Sequence, residues 1–363
     1  MRVALLTYST RPRGGVVHTL HLAEALAAQG VEVDVWTLGR GGDRAFFRPV
    51  DPAVTVHAVP FDDPDADVGR RILRSIEVLA DALAPVRSAY DVVHAQDCIS
   101  ANAALRTEGP LLRTVHHLDA FRTPELVACH ERAVREPARL VCVSEAVAAE
   151  VRIGYGRVAE VIPNGVAADR FAAAAGDLAG RAEWRERLGR YVLAVGGIEP
   201  RKGSMDLLEA FALLRVESPG LRLVFAGGET LFDYREYRAR FEERAEALGI
   251  EPEVLGPVED DRLPALVAEA AALPFLSTKE GFGLAALEAL AAGVPVVARD
   301  LPVLREVLGD AVGYGTDPAS FAAALSVALR RPPDPEAGRL LAAGYTWAAA
   351  AEAHRELYGD IAR

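Results

Sequence analysis

Short apolar runs alternate with amphipathic stretches along this chain, the pattern of strands that feed helices. Residues 3–8 (VALLTY) read as a buried strand and residues 9–15 as a loop ending in Gly14 and Gly15. Residues 18–29 then read as a helix closed by Gly30, and 31–37 as a second strand. Apolar runs without polar alternation suit strands covered on both faces, hence a parallel sheet. Strand, glycine loop, helix and strand together open a Rossmann-like half, although the dinucleotide fingerprint GxGxxG is absent. Further strands are expected at 91–95, 111–115 and 140–144, with Ser144 capping the helix that follows. Residues 39–67, rich in Asp, Pro and Gly, read as irregular. Residues 68–90 read as one helix, with Ile72, Leu73, Ile76, Leu79 and Leu83 on one face and Arg70, Arg71 and Arg74 near its start.

The pattern then restarts. Asn164-Gly165 supplies a tight turn, and the Ala- and Arg-rich residues up to 189 read as a linker with a short helix. A second strand–loop–helix unit follows: strand 191–195, loop 196–203 (GGIEPRKG), and a helix to 215. Strands are expected at 221–226, 254–258 and 271–276, and a last helix from 347 to 358. Between them lies the stretch 279–297, KEGFGLAALEALAAGVPVV: a loop, a helix N-terminus, two to three turns of helix, a Gly293/Pro295 exit and a buried strand.

At 363 residues the chain has room for about two domains. A net charge of −12 argues against nonspecific nucleic-acid binding, which needs a positive surface. Cys98, Cys129 and Cys142 show no CxxC spacing and read as buried free thiols of a reducing, cytoplasmic protein. The N-terminus lacks the core of a signal peptide, and no apolar run of about eighteen residues offers a transmembrane span. The basic helix 68–90 would allow peripheral contact with a membrane surface, but more simply covers a sheet.

Chemistry concentrates in four places. In 279–297, Glu280 precedes Gly281, Phe282, Gly283 and Leu284, and a helix start flanked by glycine offers free N–H groups and a positive dipole end to phosphate oxygens. Glu288 lies about 7 Å further along the helix axis. One acid before an anion seat and one beyond it suit a ligand with hydroxyls on both sides of a diphosphate. Arg201 and Lys202, just before a helix, add positive charge where an anion is already favoured. His116, His117 and Asp119 follow a strand end, where open α/β sheets keep their ligand crevice. Asp63, Asp65 and Asp67 have metal-binding D-x-D spacing, but in a proline-interrupted loop they read as solvated charges.

Glu280-Gly-Phe-Gly-Leu, Glu288 and Ala-Gly-Val-Pro-Val-Val resemble the E-x7-E segment of the family 4 retaining glycosyltransferases. Gly14-Gly15 resembles that family's diglycine loop, Thr114-Val115-His116 its TVH element, and residues 161–166 its IPNGV turn. The resemblance implies the GT-B fold, an α/β architecture of two facing Rossmann-like domains with an interdomain cleft. It implies an N-terminal domain 1–170, to which a crossover helix 346–363 returns, and a donor-binding domain 171–345. It further implies transfer of a sugar from a nucleoside diphosphate sugar to an acceptor hydroxyl with retention of configuration. No metal or other cofactor is implied, and the acceptor could be a small molecule, glycan or lipid. By resemblance Glu280 binds sugar hydroxyls, Gly281 to Leu284 hold the diphosphate and Glu288 binds the ribose. Arg201 and Lys202 neutralise the leaving group, His116 sits beside the reacting sugar, and Val258 lies where the base is read. Two positions depart from the pattern: Gly197 stands where the family places an arginine, and Gln96 where it often places a second histidine. Two other readings use the same residues: an epimerase or hydrolase on this fold, and a noncatalytic nucleotide-sugar binder.

Overall fold

The computed structural model describes residues 1–62, 67–119, 121, 123–228 and 234–362. The chain divides into two compact units: Met1–Gly165 with Thr346–Arg363, and Val166–Tyr345.

The first unit contains β1 (Arg2–Leu6), α1 (Gly14–Ala28), β2 (Glu32–Arg40), β3 (Val54–Phe61), α2 (Val68–Leu83), β4 (Val92–Ala95), α3 (Cys98–Ala104), β5 (Leu111–Val115), α4 (Pro124–Arg135), β6 (Arg139–Cys142), α5 (Glu145–Tyr155) and β7 (Glu160–Val161). All neighbouring strands are parallel, in the order β3-β2-β1-β4-β5-β6-β7. Chain order reverses between β1 and β4, so the segments leaving these two strands part there and open a crevice at their C-terminal ends. Val3, Leu5, Leu20, Leu26, Val33 and Val92 fill the core on one face of the sheet. The C-terminal helix, Trp347–Ile361, adds buried Ala350, Ala351 and Tyr358 to that core. Its Tyr358 hydroxyl lies 2.8 Å from His94 Nδ1.

The second unit contains α6 (Ala168–Ala174), α7 (Leu178–Leu188), β8 (Tyr191–Val195), α8 (Ser204–Glu217), β9 (Arg222–Ala226), α9 (Arg235–Leu248), β10 (Glu253–Gly256), α10 (Leu263–Glu269), β11 (Leu273–Phe275), α11 (Leu284–Ala291), β12 (Val296–Arg299), α12 (Pro302–Leu308), β13 (Gly313–Gly315), α13 (Pro318–Arg330) and α14 (Pro335–Gly344). Sheets β10-β9-β8 and β11-β12-β13 meet through a parallel bridge between Val192 and Ala272. The resulting order is that of a doubly wound half, with its switch point between β8 and β11. Leu207, Phe211, Phe225, Phe241 and Phe321 fill its core.

Several elements differ from the sequence reading. Residues 54–61 are not irregular but form β3, an edge strand, where Pro60 is tolerated because only one side of the strand is paired. The expected helix 68–90 ends as an α-helix at Leu83 and tightens into a 3₁₀ segment over Ala84–Ala89, where Pro85 cannot continue the α-helical ladder. Of its apolar face, Ile72, Ile76, Leu79 and Leu83 are buried, with α3 and α4 packed alongside, whereas Leu73 is exposed. The stretch read as linker carries two helices, α6 and α7. Cys98 is only half-buried, unlike Cys129 and Cys142. Asp67 caps α2, accepting a hydrogen bond from Arg70 N–H; Asp63 and Asp65 lie outside the described residues. Among the described residues no helix is long and apolar enough to cross a membrane.

Candidate functional site

In the second unit the two loops at the switch point are tied together. Thr278 N–H donates to the Arg201 carbonyl at 2.7 Å, and an Arg201 guanidinium nitrogen reaches the Lys279 carbonyl at 3.3 Å. This brings residues 78 apart in sequence into one cluster: Lys202 Nζ lies 3.3 Å and Arg201 Nη1 3.7 Å from Glu280 Oε2. All three side chains are half-buried, where Coulomb interactions are stronger than on an open surface. A small pocket beside them is lined by Gly196, Gly197, Lys202, Ser204, Phe275 and Ser277, among others.

Directly after Glu280 the chain enters α11. Gly283 is its N-cap, with φ of 107° and no side chain to satisfy the first turn's N–H groups. The left-handed backbone there favours glycine, and a Cβ would lie 3.2 Å from Leu304 Cδ2. Phe282 points inward, 3% exposed and edge-on to Tyr345 at 5.2 Å, so this residue offers backbone rather than ring to a ligand. Glu288 sits on the second turn of α11, half-buried. Burial pushes its pKa up to about 7; the charge of Arg170 opposes this and that of Asp260 adds to it. Arg170 and Asp260 themselves form an ion pair at 2.8 Å. Val258 follows β10, partly exposed.

Gly197 explains one departure from the family pattern. A Cβ built there would stand 2.5 Å from the Gly228 carbonyl oxygen, a backbone atom that cannot swing aside. No side chain fits at 197 on this backbone without a shift of that carbonyl, and Arg201, four residues on, lies 3.7 Å from Glu280.

In the first unit Gly14 and Gly15 open α1, and a Cβ on Gly15 would touch the His116 ring at 3.6 Å. His116, just past β5, meets His18 edge-on with ring centroids 4.7 Å apart. His18 is 1% exposed and its Nδ1 lies 2.8 Å from Asn164 Oδ1 in the turn before the second unit. Burial drives His18 down to about 3 and His116 well below the usual imidazole range, with neighbouring histidines adding to both shifts, so both rings stay neutral. Gln96, 2% exposed, directly follows β4 at the switch point, and neither its amide oxygen nor its amide nitrogen has a partner among the described residues. The same holds for His18 Nε2, His116 Nε2 and Asp97 Oδ2. Buried polar groups are nearly always paired, so such a concentration at the mouth of a sheet marks a place where a ligand or ordered water is expected. Burial also raises the Asp97 carboxyl to about 6.

His18, Asn164, Asp97 and Arg170 are thus additions that sequence reasoning missed. His18 carries a readable signal, four residues beyond Gly14 on the same helix face; Asn164 was read only as a turn former. Among the described residues no group of three or more His, Cys, Asp or Glu is placed to hold a metal ion.

Two doubly wound halves, one with a charged cluster at its switch point and one with a neutral polar crevice, define the fold of a GT-B glycosyltransferase. Residues 12–170 match the model of Glycosyltransferase Family 4, and residues 181–340 that of Glycosyl transferases group 1. A curated relative, D-inositol 3-phosphate glycosyltransferase of Geodermatophilus obscurus, is 32% identical over 95% of this chain and 86% of its own length. The protein of the same name from Xylanimonas cellulosilytica is 30% identical over 100% of this chain and 97% of its own. This chain belongs to the family 4 glycosyltransferases and is an enzyme of that class. Among solved structures, sucrose-phosphate synthase of Thermosynechococcus elongatus superposes with a TM-score of 0.79 at 20% identity, covering 99% of this chain and 98% of its own. Anabaena HepE in complex with UDP and glucose gives 0.75 at 18% identity, covering 99% of each chain.

Proposed function

We propose that this glycosyltransferase moves a sugar from a nucleoside diphosphate donor to an acceptor hydroxyl with retention of configuration. The observation that carries the reading is the cluster of Lys202, Arg201 and Glu280 immediately before the uncapped start of α11. As the glycosidic bond to the donor breaks, negative charge grows on the diphosphate. Two cations and a helix N-terminus already in position stabilise that charge without reorganising, which is the form of catalysis such a site offers. In this reading Gly281 to Leu284 supply backbone N–H groups, Glu280 binds hydroxyls of the transferred sugar, and Glu288 binds the ribose. Val258 lies near the base, and Gly14, Gly15 and Gly197 allow backbone to come close to the ligand. No protein nucleophile is required: the acceptor hydroxyl attacks from the side of the leaving group, and a donor phosphate oxygen receives its proton. His116 stands beside the reacting sugar. The two cations take over the charge neutralisation that a divalent metal would otherwise supply, so the reaction is read as metal-independent.

The nucleotide-sugar reading gains support from HepE, a protein of like fold solved with UDP and glucose. The relatives' name points to a cyclitol phosphate among the acceptors to try first. A thermal-shift screen across UDP-, GDP- and ADP-sugars tests the donor, followed by proton NMR of the product's anomeric signal. A rise in Tm with one class and a product of unchanged anomeric configuration are expected. No shift with any nucleotide-sugar, or an inverted product, refutes the proposal.

A further inference from the structure

The first unit holds an acceptor atom whose state is fixed by Asn164, a residue of the 161–166 turn that the sequence marks only as a turn former. Asn164 Oδ1 can only accept a hydrogen bond. Its 2.8 Å contact with His18 Nδ1 therefore requires the proton to sit on Nδ1, because the ring is neutral. His18 Nε2 is then a bare lone pair. It is buried and has no donor among the described residues, a costly state for a polar atom unless something donates to it. The neighbouring His116 Nε2 is buried and unpartnered as well, its ring edge-on to His18. Gln96, on the β4 side of the same switch point, holds an amide donor and an amide acceptor that are both unsatisfied. Donors and acceptors left over together call for groups that do both at once, and a hydroxyl is such a group.

We propose that His18 Nε2 accepts a hydrogen bond from a hydroxyl of a polyol acceptor, and that Asn164 is the positioning residue that holds His18 in the tautomer able to do so. His18 takes no proton in this arrangement; it orients the hydroxyl beside His116. The inference rests on reading the first unit as the acceptor side of the glycosyl transfer proposed above, and deepens it by naming the group that meets the acceptor. Asn164 acts through His18 only.

The test uses the full chain labelled with ¹⁵N-histidine, with myo-inositol and glucose as unphosphorylated polyol probes. Proton–nitrogen couplings should show the Nδ1–H tautomer at His18, and adding either probe should move the His18 Nε2 signal. Asn164→Ala should mix the tautomers and weaken probe binding about tenfold, the effect of one lost buried hydrogen bond. Asn164→Asp, which keeps the acceptor oxygen, should restore both. His18→Phe, which keeps the ring's shape but lacks Nε2, should lose probe binding too and covers the case in which Asn164→Ala fails to fold. An Nε2–H tautomer in the unaltered protein, or a His18 signal unmoved by either polyol, overturns the proposal. UDP, GDP and ADP binding is measured on the same samples. Failure of that binding alone would sink the donor reading and leave the His18 result standing.

Discussion

The two units share a strand order and place a glycine-opened helix at the same switch point, yet the groups gathered there differ in kind. In the second unit the loop ends carry full charges, Lys202 and Arg201 against Glu280, with Glu288 further along α11. In the first unit the segments that follow β1, β4 and the neighbouring β5 carry neutral rings and an amide: His18, Gln96 and His116, all with buried atoms that lack a partner among the described residues. Burial produces the second set, since desolvation holds both imidazoles uncharged. Ion pairing and partial exposure permit the first. One scaffold thus carries a charged, half-buried cluster in one unit and a neutral, deeply buried polar cluster in the other.

The largest effect is expected at the charged end. Lys202→Ala should lower kcat by on the order of a hundredfold, about 3 kcal/mol in barrier, with a much smaller change in donor affinity. Steady-state kinetics with a defined donor and acceptor checks this, and unchanged turnover removes Lys202 from the charge-stabilising role.

Next come the two glutamates. Glu280→Gln should weaken the intact nucleotide-sugar by about 1–3 kcal/mol and leave free nucleoside diphosphate nearly untouched, whereas Glu288→Gln should weaken both alike. Calorimetry with each ligand on each variant decides it; equal losses for both ligands at Glu280 would reverse the proposed orientation. Glu288 also has a signature in stability. Its folded pKa, about 7, lies above the unfolded value of 4.5, so between these limits the folded state binds more protons. Stability therefore falls as pH rises from about 4.5 to about 7, by up to about 2–3 kcal/mol. In denaturant titrations the stability of the unaltered protein relative to Glu288→Gln should decline over that window, and a flat difference would mean that Glu288 is not desolvated.

A purely steric change comes next. Gly197→Ala should cost about 1–3 kcal/mol of stability, because its methyl meets the Gly228 carbonyl oxygen and not a mobile side chain. Restoring the family arginine with Gly197→Arg should likewise destabilise the protein and not raise kcat. A stable, faster Gly197→Arg variant would show that the loop can open and that Arg201 is no substitute.

The smallest effect expected is none at all: activity should persist in excess EDTA, since Arg201 and Lys202 would neutralise the diphosphate. A strict need for manganese or magnesium would return attention to Asp63, Asp65 and Asp67.

Much of this was legible in the chain. The E-x7-E segment, the loop 196–203 and Thr114-Val115-His116 each carry local grammar: a strand, small residues, then a helix start. Local grammar alone predicted that Glu280 and Gly283 sit at a helix entrance. Elements without a long periodic signal were missed. The α4 helix was overlooked although Thr123-Pro124 announces it, and β3 was hidden by Pro60, which only its edge position allows.

What sequence by itself determined was the type and order of the main elements and the residues able to do chemistry, because periodicity and turn residues act over a few positions. Tertiary structure decided the rest. That Lys202 meets Glu280 across 78 residues, with Arg201 beside it, goes with the joining of the two loops through the bond from Thr278 to the Arg201 carbonyl. That Gly197 excludes an arginine depends on where Gly228 passes. That His18 is neutral and holds its proton on Nδ1 depends on Asn164, 146 residues away, and on burial. Long-range contacts and desolvation are properties of the packed chain, and no local pattern of residues encodes them.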